Sequence, residues 1–126
     1  MKKLIMLSLA LLTLCAMKCD DVLTKENGVY IVNTTTLAKD VRGYRGSTPL
    51  KIYIKKDKIQ KVEALQNRET PSYFKQVETG MLTKWNGMTV KKALKTDVDC
   101  VTGATLSSRA VKENVKRGLE YYQKNK

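Results

Sequence analysis

The sequence predicts an α+β domain: a small, mainly antiparallel sheet packed against helices, with an amphipathic helix at the C-terminus. Three observations carry this. Leu50, Ile52 and Ile54 alternate with Lys51, Tyr53 and Lys55, the period-two signature of a half-buried strand, and a second apolar run follows the polar turn Lys56-Asp57-Lys58. Val111, Val115, Leu119 and Tyr122 recur at helical spacing, opposite Lys112, Glu113, Lys116, Arg117 and Glu120. Between these two signals, Thr70-Pro71 reads as a helix start with an apolar stripe of its own.

Taken in order, the chain opens with Lys2 and Lys3 before an apolar run from Leu4 to about Met17, closed by Lys18, Asp20 and Asp21. This is the layout of an export signal, and the run is shorter than the roughly 20 apolar residues of a membrane crossing. Residues 1–19 are therefore read as a signal peptide or N-terminal anchor, and residues 20–39 as an N-terminal segment with the first strand. Residues 40–126 are read as the main domain. Cys15 and Cys19 stand where a lipid-modified cysteine could, but Leu14 and Lys18 precede them where such processing prefers a small residue. Cleavage, a lipid anchor and a signal anchor all stay open. The expected location is the cell envelope, on the outer side of the cytoplasmic membrane or in the periplasm, with membrane association.

Val29 to Thr36 is β-branched and reads as a strand. Arg42-Gly43-Tyr44-Arg45-Gly46-Ser47 is a glycine-punctuated bend where the backbone can approach another group closely. Leu50–Lys55 and Ile59–Leu65 form a hairpin. Phe74, Val77, Met81 and Trp85 continue from Pro71 at helical spacing, with Gly80 weakening or ending that helix early and Asn86-Gly87 stopping it in any case. Met88 to Val98 reads either as a short strand or as an irregular approach to Asp99-Cys100. The last helix runs from about Leu106 to the C-terminus.

Composition excludes several classes of function. The chain contains no histidine, which removes the usual general base and the commonest metal ligand. Without residues 1–19, Cys100 is the only cysteine, so no internal disulfide framework exists and a transition-metal site is disfavoured. Cys100 is read as a small buried hydrophobe. Removing Lys2, Lys3 and Lys18 takes three positive charges from the formal +12 and leaves +9. The lysines are dispersed, which suits a solvated face; export argues against nucleic acid as a partner and leaves acidic proteins or anionic lipid.

The segment Asp99-Cys100-Val101-Thr102-Gly103-Ala104-Thr105 places a hydroxyl-rich, glycine-containing turn directly before the last helix. A helix start presents unpaired N–H groups and a positive dipole end, which suit a phosphate. The same residues also read as a plain helix start with Thr102 or Thr105 as cap. One cap needs one hydroxyl; Thr102, Thr105, Ser107 and Ser108 supply four, which points to a polar ligand or to a site that an enzyme recognises.

Asp-x-x-Thr-Gly-Ala-Thr resembles the flavinylation motif of FMN-binding domains. Gly43-Tyr44-Arg45-Gly46 before an alternating strand resembles the family's glycine-rich bend, and Glu69-Thr70-Pro71 its Glu-Thr-Pro element. The three stand in the family's order over roughly residues 40 to 123. The resemblance implies covalent FMN, held through a phosphoester on Thr105, with Thr102, Gly103 and Ala104 lining the phosphate turn. It implies that Asp99 belongs to the pattern read by a separate flavin transferase that uses FAD and a divalent metal, and that Glu69 and Thr70 lie near the flavin ring. Glu69 reads equally as a surface carboxylate, and Thr70 as a helix cap. The sequence departs from the pattern at Ser72-Tyr73-Phe74, where many members have a glycine.

Members include peripheral subunits of sodium- or proton-pumping redox complexes and stand-alone exported flavoproteins. The expected function is electron transfer between donor and acceptor proteins, as a carrier or complex component rather than a stand-alone enzyme. The alternative is a basic exported binding module without cofactor that docks an acidic partner or anionic membrane surface. A flavin-dependent reductase of a small substrate is a third reading, disfavoured because the chain shows no substrate domain or acid–base pair.

Overall fold

Four strands make one antiparallel sheet whose spatial order follows the chain: β1 (Leu23–Glu26), β2 (Val29–Asn33), β3 (Leu50–Lys55) and β4 (Lys58–Ala64). The structure is a computed structural model and describes residues 22–126; the export signal read at residues 1–19, with Cys15 and Cys19, lies outside the described residues. Three α-helices follow the sheet: α1 (Pro71–Gly80), α2 (Val90–Lys95) and α3 (Thr105–Asn125), with a 3₁₀ turn at Leu82–Trp85 after α1. The α+β class and the amphipathic C-terminal helix are as the sequence predicts.

Both tight hairpins turn on residues with positive φ: Asn27 (51°) with Gly28 (81°), and Lys56 (53°) with Asp57 (62°). Such paired left-handed residues match the right-handed twist of the flanking strands. The first hairpin is absent from the sequence reading although Asn-Gly is a strong hairpin signal, and its strand β1 pairs Leu23 with Val32 through Glu26 with Val29. The first predicted strand ends at Asn33 rather than Thr36.

On β3 the alternation is strict, with Leu50, Ile52 and Ile54 fully buried. On β4 the buried residues are Ile59 and Val62, three apart. The register explains this: Ile54 pairs with Ile59 and Tyr53 with Lys61, so Gln60 is the extra residue of a β-bulge that resets the inward face.

One face of the sheet is covered by α3, which contributes Val111, Val115, Leu119 and Tyr122 to the core, together with Phe74 and Val77 of α1, then Met81, Leu82 and Trp85. Each such side chain, fully buried, is worth about 1.5–3 kcal/mol. A polar pin fixes α3 on the sheet: Thr34 donates to Asn114 Oδ1 at 2.5 Å, Asn114 Nδ2 donates to Thr48 Oγ1 at 3.3 Å, and Leu50 N–H donates to Thr34 Oγ1 at 2.9 Å.

One local expectation holds and one is corrected. As one of the two readings has it, Gly80 ends α1 early, and Trp85 still joins Phe74, Val77 and Met81 in the core, entering from the 3₁₀ turn. Met88 to Val98 is neither a strand nor wholly irregular. Thr89 accepts a hydrogen bond from Lys92 N–H at 3.1 Å and so caps the short helix α2, whose Val90 and Ala93 are buried.

Candidate functional site

The site is built at the start of α3. Gly103 adopts φ +85°, a left-handed conformation that glycine enters without steric cost, and Ala104 N–H closes the turn on Val101 C=O at 3.0 Å. Ala104 is the N-cap and no side chain caps the helix, so neither Thr102 nor Thr105 serves as its cap. The first N–H groups therefore have no intrahelical acceptor, and the first turn carries no acidic residue that would repel an anion.

The first turn of α3 divides by direction. Thr105 and Leu106 are exposed, whereas Ser107 and Ser108 are buried. Ser108 donates to Ala104 C=O at 2.7 Å and accepts from Val101 N–H at 3.0 Å, locking the turn onto the helix. Ser107 donates to Glu69 Oε1 at 2.5 Å. The four hydroxyls of the motif thus do not converge on one ligand: two hold the scaffold, while Thr102 and Thr105 face solvent.

Glu69 is buried, not a surface carboxylate. Besides Ser107, it accepts from three successive backbone N–H groups of the glycine bend: Tyr44 at 2.7 Å, Arg45 at 2.6 Å and Gly46 at 3.2 Å. Consecutive N–H groups of a bend form an anion-binding concavity, here filled by the protein's own carboxylate. Burial pushes the Glu69 pKa up, but the Ser107 hydroxyl and the three N–H donors outweigh it and the net direction is down. Gly43 makes the clamp possible: a Cβ there would land on Glu69 Oε1 and lie 3.3 Å from Ser107 Cα. One carboxylate so ties together the glycine bend, the Glu-Thr-Pro element and α3.

Outside the clamp lies an open cavity of about 420 Å³ lined by Tyr44, Thr70, Tyr73, Gly103, Ala104, Thr105, Leu106 and Ser107. No charged side chain lines it, and its rim is apolar: Tyr44, Tyr73 and Leu106 are the large hydrophobic residues most exposed among the described residues, at 68%, 52% and 51%. That volume and character fit a planar aromatic ligand.

The structure brings Thr70, Gly103, Ala104 and Thr105 to this cavity, with Glu69 behind its wall. Thr70 is the N-cap of α1 but makes no side-chain cap bond. Thr102 is exposed without lining the cavity, and exposed Asp99 borders a different recess with Cys100 and Gly80. Cys100 is half-buried rather than buried. Tyr73 and Leu106 are absent from the sequence reading of the site. Their signal was available: both are apolar residues off the buried stripe of their own helix.

The model of the FMN-binding domain family matches residues 43–120. No curated protein and no solved structure matches the chain.

Proposed function

Because the chain belongs to the FMN-binding domain family, and so is a flavin-binding protein, we propose that it is an exported or membrane-associated electron-transfer protein carrying FMN covalently on Thr105. The observation that supports this best is the position of Thr105: exposed, on the first turn of an uncapped helix, at the edge of an uncharged, aromatic-rimmed cavity. In attachment, the Thr105 hydroxyl would lose its proton and its oxygen would replace AMP on the FMN phosphorus of FAD, a step performed by a separate flavin transferase. Asp99, exposed and away from the cavity, suits recognition by that enzyme rather than contact with the cofactor.

The residues present fit the group. The N–H groups of the first turn of α3 and the left-handed Gly103 would hold the phosphate. Tyr44, Tyr73 and Leu106 would enclose the ring, and Thr70 offers a hydroxyl on the cavity wall. When bound, the flavin supplies one- and two-electron redox chemistry. The chain itself lines this cavity with uncharged side chains and sets the buried Glu69 carboxylate behind its wall, so packing and that carboxylate would tune the ring.

Intact mass of protein produced with and without a co-expressed flavin transferase tests the proposal. A gain of FMN less one water, dependent on the transferase and mapped to the peptide holding Thr105, is the expected result. No gain with an active transferase would overturn covalent attachment.

A further inference from the structure

The glycine bend has two sides. Tyr44 and Thr70 line the Thr105 cavity, while Arg45, next to Tyr44, and Arg68, two residues before Thr70, line a separate, open cavity of about 450 Å³ together with Arg42, Ser47, Gln66 and Asn67. Glu69, with its grip on the backbone of residues 44–46, is the wall between them. Adjacent Cα atoms are about 3.8 Å apart, so at Tyr44 and Arg45 the lining of one cavity passes directly into that of the other.

Arg42, Arg45 and Arg68 are exposed, and among the described residues none of their side chains pairs with a carboxylate. Arg117 and Lys112, by contrast, are engaged by Asp40 and Glu113 and by Asp97. The one internal bond of the group, from Arg42 to the Arg45 carbonyl at 3.2 Å, orders the guanidinium without neutralising it. The carboxylates nearest in sequence are engaged elsewhere, Glu69 beside Arg68 by the bend and Ser107, and Asp40 two residues before Arg42 by Arg117.

We propose that Arg42, Arg45 and Arg68 form a docking patch for an acidic face of a partner protein, set beside the flavin cavity. Guanidinium groups present planar forks that match carboxylates bidentately. The patch is concave and confined to one bend and one short segment, which suits protruding Asp and Glu side chains better than the flat plane of a membrane. The Glu69 clamp holds the bend at a fixed angle, so a partner bound there sits in a fixed place relative to Tyr44. That the partner is a redox protein rests on the proposed flavin function; the patch itself does not.

The test maps binding of a hexaglutamate peptide to the isotope-labelled protein, flavin attached, by NMR. Shifts concentrated on residues 42–47 and 66–68 are expected. The triple variant Arg42→Gln/Arg45→Gln/Arg68→Gln should bind about tenfold more weakly than the charge-matched control Lys91→Gln/Lys92→Gln/Lys95→Gln on α2. Equal weakening in both variants, or shifts spread over the dispersed lysines, would overturn the patch. Loss of binding to phosphatidylcholine–phosphatidylglycerol vesicles by the arginine variant, with peptide binding kept, would overturn it in favour of a membrane. The same titration on protein without flavin reads the patch separately from the flavin function: binding there with no flavinylation by the transferase would refute that function and leave the patch standing.

Discussion

The hydroxyl residues around the start of α3 are chemically alike and physically opposite. Ser107 and Ser108 are buried hydroxyls with every bond made inside the protein. Thr102 and Thr105 are exposed hydroxyls with none. A helix advances about 100° per residue, so Thr105 and Ser107, two apart, point to nearly opposite sides, and Thr102 precedes the helix altogether. The difference shows that a dense hydroxyl motif can hold two functions at once. Its inward half builds a rigid frame around Glu69, and its outward half stays available for modification.

The sharpest break of that comparison is Thr105→Ala. With no cap bond to lose, stability should change by less than about 0.5 kcal/mol, while covalent flavin disappears entirely. Intact mass and a urea melt measure the two effects together. Covalent flavin retained in this variant would shift attachment to Thr102.

On the inward half the expectation is reversed. Glu69→Ala leaves three bend N–H groups and the Ser107 hydroxyl without their acceptor, and should cost about 3 kcal/mol. The urea midpoint should fall with the m-value unchanged. A change near zero would mean that water replaces the carboxylate and that the bend is not held by it.

Gly43→Ala probes the same clamp from the other side. The added methyl group must displace the Glu69 carboxylate, for about 2 kcal/mol. In the Glu69→Ala background the same methyl enters vacated space and should be nearly neutral. A double-mutant cycle should therefore give a coupling of more than about 1 kcal/mol. Simple additivity would place the steric conflict elsewhere.

These contrasts also mark what could be read from the chain. The β3 alternation and the α3 stripe are local periodicities, and both stand in the structure as they read in the sequence. The β4 pattern was blurred by a bulge at Gln60, whose place depends on cross-strand register. The short helix α2 is capped by Thr89 and carries only two buried residues, too few to announce a period. At the site, the positions of Thr105 and Gly103 follow from the turn. The role of Glu69 does not, because its partners are 23–25 and 38 residues away. Burial of a carboxylate is legible only once the fold brings donors to it.

The smallest expected effect is a pH dependence that separates the buried clamp from the surface charges. Glu69 ordinarily titrates near 4.5 and its pKa is lowered in the fold, by the Ser107 hydroxyl and the bend N–H groups acting against burial. A carboxylate with a depressed folded pKa contributes stability that is fully present above its unfolded pKa. That contribution is lost as pH falls through the folded value, so the protein should weaken from about pH 4.5 downward. Asp57, lowered by the Tyr122 hydroxyl and Lys126, and Asp40, lowered by Arg117, act in the same direction. Both are exposed, and their ion pairs with Lys126 and Arg117 are screened by salt, whereas the Glu69 bonds are made to neutral donors in a buried site. Urea midpoints of the wild type and of Glu69→Gln, followed from pH 6 to pH 3 at low and high salt, isolate the clamp. The acid slope that disappears in Glu69→Gln should be the part that salt leaves unchanged; a slope abolished by salt in both proteins would assign acid sensitivity to the surface aspartates instead.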